Sequence, residues 1–183
     1  MRTVRVCVLN DIHYPTNEQT IATSLRVVFQ EYRTYTGIQF SYDRIFPYEY
    51  NLTAWSIDQG MYLRQTCNRD AEIKLVFSSK IVQEQDAAFF SPTEQNRELG
   101  ESTNDIWGYV LIYNTDFHYN LISSVGEPAL FTVLRHGIAH LFHVEHSNNT
   151  DSFMYPILSE TKGLWDRDTL TQILKNRNTR WFP

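Results

Sequence analysis

Four of the six histidines in this 183-residue chain stand at positions 136, 140, 143 and 146. Imidazole nitrogens bind metal ions and carry protons near neutral pH. His136 and His140 are four residues apart. On a helix that spacing stacks two side chains on one face, where both can reach a single ion. Two ligands leave a zinc site incomplete: structural sites use four, and catalytic sites use three plus water. His146 can supply a third ligand only if the helix stops after His140 and the chain turns back. If the helix runs on instead, His143 shares the face of the first two and becomes the alternative ligand.

Such a cluster must be held by a scaffold, and the preceding sequence predicts one. Val4, Val6 and Val8 alternate as in a strand. Ile21, Leu25, Val28, Phe29 and Tyr32 recur at helical steps, with Thr16 or Asn17 as cap and Gly37 as stop signal. A second strand is expected from Ile38 to Tyr42 and Ile45, so the order implies a right-handed βαβ unit with a parallel sheet. Residues 46–70 are aromatic and select no element. Ile73 to Phe77 reads as a strand. Residues 83–104 read as polar loops with a short edge strand near Phe89. Tyr109 to Tyr113 reads as a strand buried on both faces. Glu127 and Pro128 open the helix that carries the histidines, with Pro128 in the first turn and Glu127 at the positive end of the dipole. A last helix is expected from Asp166 or Asp168 to about Asn176.

The run His136-Gly-Ile-Ala-His140-Leu-Phe-His143-Val-Glu-His146-Ser147 resembles the signature HExxHxxGxxH of the metzincin zinc metallopeptidases. Met154, in Ser152-Phe-Met-Tyr155-Pro156, is similar to their Met-turn. Ser147, the eight-residue interval to Met154 and the Met-Tyr-Pro ending are most similar to the matrixin branch. The match covers residues 136–156. It implies a zincin-like α/β fold: a mostly parallel twisted sheet with a backing helix and a zinc helix, then a small, mainly irregular C-terminal lobe ending in a helix. It implies one domain over 1–183, with about 1–146 above the cleft and about 147–183 below. It implies Zn2+ held by His136, His140 and His146 over a floor of Met154, and a peptide or protein substrate lying extended against an edge strand. A tyrosine ligand would stand two residues after the methionine; that position is Pro156, so Tyr155 is not expected to bind zinc. Asp166 and Asp168 are loosely similar to an acidic pair in matrixins.

Two positions depart from the family pattern. Gly137 stands where the family has Glu, the general base that takes a proton from the metal-activated water and passes it to the leaving amine. Glycine can do neither, so little or no peptidase activity is expected. The alternative is a non-catalytic zinc-binding or protein-binding relative. His143 stands where the family has Gly, at the left-handed exit from the helix. Glu145 is close enough in sequence to replace the base but is expected to point away. His13, His118, Glu127 and Glu160 have no assigned place and are expected at the surface.

Composition narrows the remaining classes. Hydrophobic residues make up 42% and charged residues 20%, enough for a packed core rather than disorder. A net charge of -5 and the absence of a basic stripe argue against nucleic-acid binding. No stretch approaches the roughly 20 apolar residues of a membrane helix, and the N-terminus reads as a strand rather than a signal peptide, so a soluble protein is expected. Cys7 and Cys67 could pair once but are expected as free, partly buried thiols.

Overall fold

In the computed structural model, residues 1–49, 62, 63, 65–67, 70–81, 89, 90 and 108–179 are described. The alternation in the first strand sets the architecture. In β1 (Arg2–Asp11), Val4, Val6 and Val8 point into one core, while Cys7 and Leu9 point into another on the opposite face. Two strands share one edge of β1 and run parallel to it: β2 (Ile38–Ser41) pairs with residues 2–5, and β3 (Ile45–Tyr48) with residues 8–11. On the other side lie β4 (Ile73–Phe77) and β6 (Tyr109–Ile112), both parallel. β5 (Phe89–Phe90) closes the sheet antiparallel to β6. The α/β class and mostly parallel sheet are those expected. The edge strand near Phe89 is present, while the rest of the 83–104 expectation and most of 50–70 lie outside the described residues.

The helices cover the valine face. α1 (Glu18–Thr36) begins at Asn17, whose side chain accepts from the backbone N–H of Gln19. It ends at Gly37, where φ is +69° and the N–H reaches the carbonyl of Arg33. Its expected apolar stripe is buried. After β6 comes a short helix, α2 (Thr115–Asn120), that the sequence did not announce. α3 (Ala129–Leu141) carries the first two histidines and is buried along its whole length. Pro128 caps α3 from just outside rather than occupying its first turn. Beyond α3 the described residues are irregular except for a turn of 3-10 helix at Leu158–Glu160 and α4 (Arg167–Asn176). Asp166 caps α4 through the N–H groups of Asp168 and Thr169.

The opposite face of the sheet corrects one expectation. Cys7 and Cys67 are not free thiols but form a disulfide, with Cα atoms 5.7 Å apart. Tyr48, Leu63 and Ala71 are buried around it. The bridge ties β1 to a residue 60 positions away, and closing a loop of that length is worth about 4 kcal/mol in the unfolded-chain entropy model. Reduction, or the Cys7→Ser/Cys67→Ser pair, should therefore lower unfolding free energy by roughly 2–5 kcal/mol in urea titrations. Equal stability with and without reductant would contradict this.

Candidate metal centre

α3 places His136 and His140 one turn apart, and the end of the helix brings in His146. The C-cap is Phe142. His143 follows with φ +57°, and its N–H donates to the carbonyl of His140, while the N–H of Val144 donates to that of Ala139. This is the Schellman pattern, with His143 in the left-handed position that usually takes glycine and buried Val144 after it. The helix therefore does not run on through His143. His143 lies outside the group that His136, His140 and His146 form. A left-handed non-glycine residue costs roughly 1–2 kcal/mol. His143→Gly should thus raise stability by about 1 kcal/mol, net of the freer unfolded chain, with zinc content unchanged. A lower melting temperature in the metal-free protein would count against that assignment.

The three rings converge through their Nε2 atoms. His140 Nε2 is 2.9 Å from His136 Nε2 and 3.2 Å from His146 Nε2, and the last pair is also 3.2 Å apart. The other nitrogens fix the tautomers. His136 Nδ1–H donates to the carbonyl of Phe153 at 2.7 Å, and His140 Nδ1–H donates to that of Val144 at 2.9 Å. A carbonyl can only accept, so these protons sit on Nδ1 and the Nε2 lone pairs face inward. Converging lone pairs repel one another unless a cation lies between them. Bonds of about 2.0–2.1 Å in a tetrahedral zinc site place nitrogens roughly 3.3 Å apart. The donor set and its spacing fit zinc. Burial pushes the His136 pKa well below the usual imidazole value, and charge on His140 would push it further, so the ring is held neutral.

The Met-turn residues support this trio. Met154 is fully buried, and its carbonyl accepts from the N–H of Ser147. Its N–H donates to Ser152 Oγ, which in turn donates to the Asp166 carboxylate. Tyr155 lies outside the trio, with its hydroxyl donated to Glu160 at 3.1 Å. Pro156 is exposed. Gly137 is buried in α3 beside His136 and offers no side chain. Among the described residues no carboxylate joins the three histidines. Glu145 is exposed, with its backbone N–H on Gln172.

Two residues expected at the surface are elsewhere. His118 is fully buried on α2 and lines a cavity of about 520 Å³. The cavity lies between α2, Thr132 of α3 and residues 158–162, just after the Met-turn. Glu127 does not serve the helix dipole alone. It pairs with Arg135, which also holds Glu31 of α1. The sequence signal for Arg135 is a lone charge in an apolar helix pattern, which marks a buried ion pair. Burial works against its charge, but the hydrogen bonds it donates to Glu127 and Glu31 outweigh that and raise its pKa.

Comparison with known proteins agrees with this geometry. Among curated proteins, none matches the chain. Solved structures do. Metalloproteinase-II from Bacteroides fragilis superposes with a TM-score of 0.64 at 13% identity, over 96% of this chain and 53% of that one. The chain thus spans about half the length of that protein. An archaemetzincin from Methanopyrus kandleri gives 0.60 at 11% identity, over 96% of both chains. A zinc-dependent peptidase from Methanocorpusculum labreanum gives 0.54 at 15%, over 92% of this chain and 99% of that one. At these identities the likeness is one of fold. The model of the Matrixin family matches residues 46–173, from β3 into the last helix. With the histidine trio and the Met-turn inside that span, the chain belongs to the matrixin family.

Proposed function

We propose that the chain is a zinc metallopeptidase scaffold whose hydrolytic step is disabled at Gly137. The observation that carries the reading is the convergence of three Nε2 atoms within 3.2 Å, two of them oriented by carbonyls on Nδ1. His136, His140 and His146 would hold the ion, with Met154 packed as the floor of the site. When bound, zinc acts as a Lewis acid on a carbonyl and acidifies water. A substrate peptide would lie extended between an upper part, about 1–146, and a lower part, about 147–183. It would pair with the edge strand at Phe89–Phe90. One of its side chains would enter the cavity beside Thr132. What the chain cannot do is move protons: Gly137 has no atom to accept one from water or return it to a leaving amine. Metal analysis of purified protein should find one zinc per chain with little peptide hydrolysis. A protein that neither contains zinc nor binds it on titration would sink the proposal.

A second reading is favoured by Gly137 itself. A cleft without a base can bind a peptide and release it uncut, which makes the protein a non-catalytic binding module. Fluorescence anisotropy with labelled peptide libraries separates the two: saturable, reversible binding by zinc-loaded protein without cleavage supports the module. Turnover abolished by chelators would count against the module.

A further inference from the structure

The Arg135 side chain is only 4% exposed and carries its charge inside the protein. Its donors are fully committed. Nε and Nη2 donate to the two oxygens of Glu31 at 2.6 and 2.7 Å. Nη1 and Nη2 donate to the two oxygens of Glu127. That leaves one N–H, on Nη1, and it donates to the carbonyl of Gly163 at 3.1 Å. A guanidinium has five N–H groups, and all five have acceptors here. Lysine could not reproduce this arrangement.

The fifth bond reaches the metal group. Gly163 precedes Leu164, whose carbonyl accepts from the N–H of Phe153 at 2.9 Å. The carbonyl of Phe153 accepts from His136 Nδ1. His136 is the next residue after Arg135, so the path closes into a ring: Arg135, Gly163, Leu164, Phe153, His136. The ring also needs a glycine at 163. Its φ is +72°, and an added Cβ would lie 2.1 Å from Thr132 Oγ1, one turn before Arg135 and His136. The segment thus packs hard against α3 while its carbonyl meets the arginine.

We infer that Arg135 is a positioning residue for His136, acting through Gly163, Leu164 and Phe153 to aim Nε2 into the trio. The inference rests on the zinc-binding reading above. Glu31 and Glu127 hold the guanidinium in place, and the backbone of the irregular segment transmits its position to the ring.

The test loads the full chain with Co2+ and with Zn2+. Arg135→Gln should weaken zinc binding by roughly 10–100-fold, as loss of supporting contacts around metal ligands does, and should alter the visible d–d bands of the Co2+ form. Val28→Ala, a buried position of α1 outside the ring, supplies a destabilised control in which both readouts stay unchanged. Gly163→Ala tests the same ring without touching the arginine and should shift both readouts in the same direction. If Arg135→Gln does not fold, Gly163→Ala decides. Unchanged zinc affinity and an unchanged Co2+ spectrum in the folded variants would overturn the inference. Failure of the parent chain to bind either metal would instead overturn the zinc reading itself.

Discussion

Gly137→Glu should turn the zinc-loaded chain into a peptidase, raising its hydrolysis of a quenched fluorescent peptide at least ~10²–10⁴-fold, the usual worth of a general acid–base group. Position 137 follows His136 on α3, and α3 is buried throughout. Partial burial raises a carboxyl pKa, and a base works best with a pKa near the operating pH. The added negative charge is also matched to a dication held by three neutral imidazoles. Helix energetics do not oppose the change, because glycine in a helix interior is roughly 0.5–1 kcal/mol worse than alanine. The gain should vanish with a chelator and return with zinc. If zinc binds one to one and no activity follows, the missing carboxylate is not the sole defect, and the remaining cleft has also departed from a peptidase.

The histidine spacing made the centre legible before the fold was known. An i, i+4 pair plus a residue six further on allows few arrangements, and the interval to Met154 favoured the one found. The choice between His143 and His146 depended on where α3 stops. The structure answers it with His143 in the left-handed position and the buried Val144 after it. The valine alternation and the Asn17 and Gly37 caps made β1 and α1 equally readable, because local patterns and local hydrogen bonds determine them.

What escaped the sequence depends on distant partners. Cys7 meets Cys67 because the sheet carries β1 past a segment whose aromatic sequence has no period. Glu127 reads as a dipole residue because nothing in its neighbourhood announces that Arg135, eight residues on in α3, holds it together with a second carboxylate from α1. α2 has only six residues, too few for a period to emerge, so the burial of His118 could not be foreseen. The irregular chain after α3 is held by single hydrogen bonds such as Phe153 to Leu164 and Ser152 to Asp166. Such bonds leave no repeat in the residues that make them.

His140→Ala should cost more metal affinity than any single substitution outside the trio, because His140 Nε2 is one of the three converging nitrogens. Structural zinc sites with four ligands bind with about 10–16 kcal/mol at neutral pH, or roughly 2.5–4 kcal/mol per ligand. Removing one of three should therefore weaken zinc binding on the order of 10²–10³-fold, read by competition with a chromophoric chelator. The loss has a thermodynamic echo. Zinc stabilises the native state by RT ln(1 + [Zn]/Kd), so the rise in melting temperature on adding zinc should shrink in His140→Ala. His143→Ala is the matched comparison: it removes an imidazole from the same sequence cluster but from outside the trio. Its zinc affinity and zinc-induced stabilisation should stay at the parental level. An equal loss in both variants would mean that His143 takes part in binding, and that the end of α3 is remodelled when the ion arrives.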